Sequence, residues 1–180
     1  MIWRRAQPIF ALLLGMIAGL LSAAVMLLWW RSPVPTFLVF TPVLHGMLIG
    51  VCLMWIVTRL NVHCSVRRTV IGLLAGIVSV AALLAGQYVS DAIDHQHRTR
   101  AALQRMMPQA LPVARADILS DYDHDVLAPM TGRTGMVGQF TLMTRGSAWR
   151  AWLRGVEAIL VIGIATGLCL RARAARPPAE

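Results

Sequence analysis

Lysine is missing from this chain of 180 residues, and all seventeen of its basic residues are arginine. The absence excludes Walker A phosphate loops, lysine Schiff-base chemistry and Ser–Lys nucleophiles, because each of these needs a lysine amine. Cysteine is scarce as well: Cys52, Cys64 and Cys169 are the only three, and no two of them form a CxxC pair. None lies in residues 91–148, so we expect no structural disulfide in that segment.

Charge is unevenly distributed along the chain. The formal net charge of +9 raises the possibility of nucleic-acid binding, but residues 91–148 hold six Arg and six Asp and are neutral. The excess arginine lies beside apolar segments, at Arg4, Arg5, Arg59, Arg67, Arg68, Arg171, Arg173 and Arg176. Arginine in such positions sets the topology of a membrane protein, so no nucleic-acid partner is expected. A hydrophobic content of 57% and a mean hydropathy of +0.64 indicate the same class.

Four apolar segments are long enough to cross ~30 Å of hydrocarbon as helices. They predict an all-α integral membrane protein with transmembrane helices at residues 8–30, 36–57, 69–90 and 149–170. Residues 58–68 form a short Arg-rich turn, which predicts a cytoplasmic loop. Residues 1–7 and the tail 171–180 then lie in the cytoplasm, and residues 91–148 lie outside. We therefore expect a multipass protein of a bacterial inner membrane with both termini inside.

The first apolar segment has an alternative interpretation as a cleaved signal peptide. Its apolar run of about 22 residues is longer than a signal core, and it ends in Trp29 and Trp30, which are suitable interfacial anchors. These features favour a retained first helix.

The segment 91–148 is the only stretch large enough to fold outside the bilayer. Its first part has no helix breaker, so the third helix is predicted to extend to about residue 107, before Pro108. Glycines followed by β-prone residues predict a small hairpin within residues 131–146. Because the segment has few large apolar groups, we expect it to rest on the bilayer surface or on a protein partner.

Each predicted transmembrane helix contains two glycines four residues apart. The pairs are Gly15/Gly19, Gly46/Gly50, Gly72/Gly76 and Gly163/Gly167. Such pairs allow helix backbones to approach closely in lipid, where little hydrophobic force acts between helices. We expect them to pack the bundle; a homo-oligomer built through the same glycines is the alternative.

His45 and Glu157 are the ionisable residues expected at hydrocarbon depth, roughly 12–14 Å below the outer boundary at 1.5 Å per residue. A charge at that depth is costly and usually pairs or faces a cavity. One hypothesis is a polar hub in which His45 and Glu157 meet, with Thr41 or Gln87 nearby, and exchange a proton or ligand. The alternative is a structural clasp between Glu157 and Arg154, one helical turn away.

Metal-ligand side chains are too sparse for a metal or cofactor prediction. Asp91 and His95 share a helix face at i, i+4, but two ligands do not make a site. The stretch Asp121–Asp125 begins like a calcium loop, yet the pattern then requires Gly at 126 and Glu at 132, where the chain has Val126 and Gly132. We expect neither a metal nor a cofactor.

Several stretches resemble a group of small bacterial inner-membrane proteins that have three helices, an external segment and a fourth helix. The stretches are Pro35-Thr36-Phe37-Leu38-Val39-Phe40, Gly46-Met47-Leu48-Ile49-Gly50, Val66-Arg67-Arg68 and Arg154-Gly155-Val156-Glu157-Ala158. Many members continue into a Pro-Phe-Cys-type cysteine pair after the last helix. This chain ends Arg176-Pro177-Pro178-Ala179-Glu180, so a metal role there does not carry over, and the resemblance implies a fold without an activity.

Two classes of function follow from these features. The first is a non-enzymatic scaffold or accessory subunit of a membrane complex, with a protein partner bound through residues 91–148. The second is a small oligomeric transporter or channel subunit that uses His45 and Glu157. An enzyme is not expected, because no nucleophile–base pair or metal motif is present.

Overall fold

The computed structural model describes residues 2–30, 40–106, 117–144 and 147–172. All regular structure in these ranges is helical, and none of it is β-strand. The helices are α1 (Ile2–Trp30), α2 (Phe40–Arg59), α3 (Ser65–Met106), α4 (Ile118–Tyr122), α5 (Ala128–Thr131), α6 (Gly135–Thr144) and α7 (Ala148–Arg171), with a π-helical turn, Asp123–Leu127, between α4 and α5.

Four of these helices, α1, α2, α3 and α7, are long and apolar enough to cross a membrane. The fold is therefore all-α, as predicted, and it is that of a membrane protein. The predicted start of the second span at residue 36 lies outside the described residues. α3 has 42 residues and an expected length of roughly 63 Å at 1.5 Å per residue, about twice the thickness of the hydrocarbon.

The chain divides into two compact units. The first unit comprises Met1–Leu83 and Leu153–Glu180, and the second comprises Leu84–Trp152. Helices α3 and α7 each contribute to both units. The core of the first unit is built from small and branched apolar side chains that are fully buried, including Ile49, Leu53 and Ala75.

Close backbone contacts hold the first unit together at three of the four glycine pairs. A Cβ atom on Gly19 would lie 2.6 Å from the carbonyl oxygen of Ala75, and one on Gly72 would lie 2.8 Å from the Cα atom of Thr166. Further contacts of an added Cβ with a neighbouring helix, at 2.5–3.0 Å, occur at Gly15, Gly46, Gly50 and Gly76. These positions join α1 to α2 and α3, and join α7 to α2 and α3.

Gly163 and Gly167 differ from this pattern. A Cβ added to either residue would meet no heavy atom within 4 Å. The expectation that this pair packs within the bundle is therefore wrong for the described residues. The physical reason is the rotation of α7, which turns Val161, Ala165 and Cys169 into the core and leaves both glycines on its outer side.

α2 ends in a Schellman motif built on asparagine. Asn61 has φ of 48°, in the left-handed region, and its N–H donates to the carbonyl oxygen of Thr58 at 3.3 Å. The N–H of Val62 donates to the carbonyl oxygen of Val57 at 3.1 Å, and both valines are buried in the core. These bonds satisfy carbonyls that the last turn of a helix leaves open, and they reverse the chain toward α3.

The second unit packs short helices against the C-terminal part of α3. Its small apolar core consists of Tyr88 and Ala92 from α3 together with Tyr122 and Leu127. The predicted hairpin within residues 131–146 is wrong, because residues 135–144 form helix α6. The physical reason is that Gln139 of α6 is buried and forms hydrogen bonds to Tyr122 and Asp91 of the same unit. These tertiary contacts outweigh the β propensity of its neighbours.

Candidate functional site

Three polar side chains meet in the core of the first unit. Ser22 of α1, His45 of α2 and Ser79 of α3 have exposed fractions of 3%, 2% and 0%. The Nε2 atom of His45 lies 2.8 Å from Oγ of Ser79, and the two serine Oγ atoms lie 2.9 Å apart. The cluster therefore connects three helices through side-chain hydrogen bonds in a largely apolar core.

Counting protons assigns the direction of these hydrogen bonds. Ser22 lies 2.9 Å from the carbonyl oxygen of Gly19, which can only accept, so the single hydroxyl proton of Ser22 is donated there. Ser79 must then donate to Ser22, and Nε2–H of His45 must donate to Ser79. A neutral imidazole with its proton on Nε2 satisfies all three groups. The arrangement is a continuous donor chain that needs no buried charge.

Glu157 is held by a different partner. The Nη1 atom of Arg154 donates to Oε2 of Glu157 at 2.7 Å, and both side chains are partly exposed. Residues 154 and 157 lie three positions apart on α7, so this pair is the clasp alternative. Among the described residues, no hydrogen bond or ion pair joins His45 to Glu157, which differs from the predicted hub. The serine hydroxyls satisfy His45, and an arginine on its own helix satisfies Glu157.

Gln87, the fourth predicted member of the hub, belongs to the second unit. Its exposed fraction is 8%, and its Oε1 atom has no hydrogen-bond partner among the described residues. The structure thus divides the four predicted residues between two units and several separate interactions.

Arg68 has a role that the sequence analysis missed, because its position near apolar segments was interpreted only as a topology signal. The side chain is 8% exposed, and its guanidinium donates to the carbonyl oxygens of Val62 and Ala172. Ala172 directly follows the last helical residue of α7, where carbonyl groups lack intrahelical partners and a cation is favoured. Arg68 therefore caps α7 from the first turn of α3.

The second unit has its own polar network on one face of α3. Residues 88, 91, 92 and 95 follow the i, i+3, i+4, i+7 spacing of a single helix face. The hydroxyl of Tyr88 donates to Oδ1 of Asp123 at 2.8 Å, and the N–H of Gly135 donates to the same oxygen at 3.0 Å. Asp123 begins the π-helical turn, so this carboxylate connects α3, the turn and the start of α6.

A second chain of hydrogen bonds runs from Tyr122 to α3. The Tyr122 hydroxyl donates to Oε1 of Gln139 at 3.2 Å, and Nε2 of Gln139 donates to Oδ2 of Asp91 at 2.7 Å. The Tyr122 ring lies between those of Tyr88 and His95, with centroid distances of 6.0 and 5.9 Å. Burial, with the carboxylates of Asp91 and Asp123 nearby, raises the pKa of Tyr122 to about 12.

The metal-ligand side chains of this unit serve other contacts. Asp91 accepts from Gln139, whereas Nε2 of His95 lies 3.6 Å from Oδ2 of Asp125. No group of three His, Cys, Asp or Glu side chains converges in the described part of the chain. The acidic stretch from Asp121 to Asp125 is helical, with its last three residues in the π-helical turn.

One cysteine outside the membrane-spanning helices has a perturbed thiol. Cys64 is exposed and lies just before α3, where hydrogen bonds from the backbone N–H groups of Arg67 and Val66 lower the pKa of its thiol. Cys169, in contrast, is fully buried, and its Sγ donates to the carbonyl oxygen of Arg68 at 3.4 Å. Cys64 is therefore the more accessible of these two thiols.

Comparison with known protein families, curated proteins and solved structures finds no match for this chain. Its class is therefore assigned from the fold and the geometry alone. The protein is an all-α membrane protein: four of its described helices are long and apolar enough to cross a membrane, and a small helical unit includes the C-terminal part of the third.

Proposed function

We propose that this chain is a non-enzymatic multipass protein of a bacterial inner membrane that acts as a scaffold or accessory subunit of a membrane complex. The observation that carries the proposal is that His45 and Glu157 have different hydrogen-bond partners. His45 bonds to Ser79 and Ser22, and Glu157 bonds to Arg154, so neither side chain depends on an exchangeable ligand. A structural role explains both sets of contacts.

The second unit supports a role in holding a partner. Tyr88 and Asp91 of α3 bond to Asp123 and Gln139, which fastens the short helices to a helix that also enters the first unit. Beyond these contacts, residues 100–106 of α3 are exposed, and Leu103 and Met106 have exposed fractions of 49% and 71%. We assign the contact with a protein partner to this end of α3.

A photo-crosslinking residue at position 103 tests the partner contact. We expect it to capture one protein of the complex, whereas the same residue at Ile159, which is 70% exposed on a membrane-spanning helix, should capture lipid. The change Leu103→Glu should release the captured protein from complexes purified in mild detergent. Retention of that protein despite Leu103→Glu and Met106→Glu would contradict the assignment.

Transport by purified protein tests the alternative, a small oligomeric transporter or channel subunit that uses His45 and Glu157. In proteoliposomes with an imposed pH gradient, we expect no more dissipation than in empty vesicles. Dissipation that Glu157→Gln abolishes in a folded protein would overturn the scaffold proposal, because ion exchange needs the carboxylate.

Reporter fusions test the proposed orientation. Fusions at Ser65 and after Glu180 should report a cytoplasmic location, and a fusion at Ala128 should report a periplasmic one, because short Arg-rich loops stay inside. A periplasmic result at Ser65 would invert the topology.

A further inference from the structure

Helix α6 leaves much of its apolar surface uncovered. Its polar Gln139 is only 3% exposed, on the side where Leu142 packs against the core of the second unit. Met136, Val137 and Phe140 share a different face at i, i+1 and i+4 and are 44%, 56% and 37% exposed. A helix in a water-soluble unit normally turns its apolar face inward. The outer face of α6 is therefore suited to an apolar neighbour.

Chain connectivity places the C-terminal end of α6 close to the start of a membrane-spanning helix. α6 ends at Thr144 and α7 begins at Ala148, so at about 3.5 Å per residue their ends are at most ~14 Å apart. Trp149 and Trp152 in the first turns of α7 are 64% and 58% exposed, and their rings stack with centroids 5.1 Å apart. Exposed tryptophans at the end of an apolar helix are typical of the membrane interface.

Asp123 and Asp91 bond to Gly135 and Gln139 of α6, but the charged residues that flank the helix along the chain are of one sign. Between residues 126 and 156 the chain has no Asp or Glu, and its four charged residues are Arg133, Arg145, Arg150 and Arg154. α6 itself carries no charge. An uncharged apolar face within an arginine-rich stretch matches the bilayer interface, where acyl chains lie below anionic headgroups.

We propose that α6 is an interfacial helix that lies on the bilayer with Met136, Val137 and Phe140 inserted among the lipids. Its ten residues span about 15 Å at 1.5 Å per residue, too short to cross the hydrocarbon. An interfacial helix of this kind buries its apolar face about 5–10 Å below the headgroup boundary. Lipid then covers α6, while the end of α3 remains open to a protein.

Depth-dependent fluorescence quenching in the full-length protein tests this proposal. Exposed Cys52 and Cys64 are changed to Ser, fully buried Cys169 is kept, and one new cysteine is labelled with the NBD fluorophore. The new cysteine replaces Val137, or Phe140 as a second position if the first variant misfolds. The matched control is Gln104→Cys on the exposed end of α3. The protein is reconstituted in phosphatidylcholine vesicles containing phosphatidylglycerol, with and without lipid nitroxide-labelled near the headgroup.

The labels on α6 should emit at shorter wavelength than the label at 104, and nitroxide lipid should quench them several times more strongly. Quenching at 137 should weaken when phosphatidylglycerol is omitted, because the arginines then lose their anionic counterpart. Equal, water-like emission at 137 and 104 would overturn the proposal. Short-wavelength emission at 137 without nitroxide quenching would also overturn it, since protein and not lipid would then cover the face.

Discussion

The Nε2 atom of His45 on α2 lies 2.8 Å from the Oγ atom of Ser79 on α3. This contact is the first step of a donor chain that continues through Ser22 to the carbonyl oxygen of Gly19 on α1. In a largely apolar core, such a chain fixes the relative rotation of three helices, because the imidazole N–H has acceptors only where Oγ of Ser79 and Oγ of Ser22 lie, at 2.8 and 3.3 Å among the described residues.

Replacing Ser79 by Ala should destabilise the first unit. The change removes the nearer acceptor of Nε2–H of His45 and leaves only the longer contact to Ser22 at 3.3 Å, so we expect a loss of about 0.5–1.5 kcal/mol, the usual range for one hydrogen bond. Unfolding in detergent measures it. Ser90→Ala on the same helix is the matched control, because Ser90 is only partly buried. Equal melting temperatures for the two variants would show that the donor chain contributes nothing.

Gly72 and Gly163 each follow Val-Ile and begin a pair of glycines four residues apart, so substituting them distinguishes the effect of packing from that of helix propensity. Gly72→Ala places a Cβ 2.8 Å from the Cα atom of Thr166, whereas Gly163→Ala meets nothing within 4 Å. Gly72→Ala should lower the melting temperature in detergent, because backbone atoms must move apart. Gly163→Ala should raise it slightly, since Ala favours a helix over Gly by up to about 1 kcal/mol. A larger loss at Gly163 would mean that the face of α7 packs against a second copy.

The sequence predicts the four apolar helices because length and hydropathy alone determine whether a segment can span a bilayer. It also predicts the extension of α3, since nothing between Asp91 and Met106 breaks a helix. The sequence does not predict which glycines contact a neighbouring helix. Gly72 and Gly163 lie in the same kind of glycine pair, but the rotation of each helix determines which of them makes such a contact. That rotation depends on packing among distant segments and is not encoded in local spacing.

The predicted hub of His45 and Glu157 illustrates the same limit, because helix rotation cannot be predicted from local sequence. The sequence predicts similar depths for His45 and Glu157, but depth alone does not determine which faces of two helices meet. The sequence does not indicate that Ser22 and Ser79 bind His45, because serine is common in membrane helices and its role here depends on the position of the His45 imidazole. α6 could not be predicted from its own residues either, since the bonds from Gln139 to Tyr122 and Asp91 connect segments far apart in the chain.

Substitutions at Glu157 distinguish a hydrogen bond from an ion pair. Glu157→Gln should cost less than about 1 kcal/mol, because the amide oxygen still accepts from Arg154 and both side chains are partly exposed. Glu157→Leu should cost more, since it removes the acceptor entirely. Unfolding in detergent, in a double-mutant cycle with Arg154→Leu, measures the coupling. A coupling energy near zero would show that the pair at 2.7 Å does not stabilise the helix.

Tyr122→Phe should make the second unit less stable at neutral pH and less sensitive to alkali. The variant loses the bond to Gln139 and leaves a buried amide oxygen without a donor, at a cost of about 1–3 kcal/mol. Burial raises the pKa of Tyr122 from 10.0 to about 12. Its hydroxyl therefore stabilises the fold fully below pH 10, and this contribution is lost as the pH rises toward 12.

Unfolding of both proteins, followed by near-ultraviolet circular dichroism across this pH range, isolates the contribution of Tyr122. The difference between wild type and variant should be constant up to pH 10 and then shrink toward pH 12, because only the wild type can form the phenolate. A difference that stays constant through pH 12 would show that Tyr122 titrates alike in the folded and unfolded chains. The bond to Gln139 would then not depend on burial of a neutral phenol.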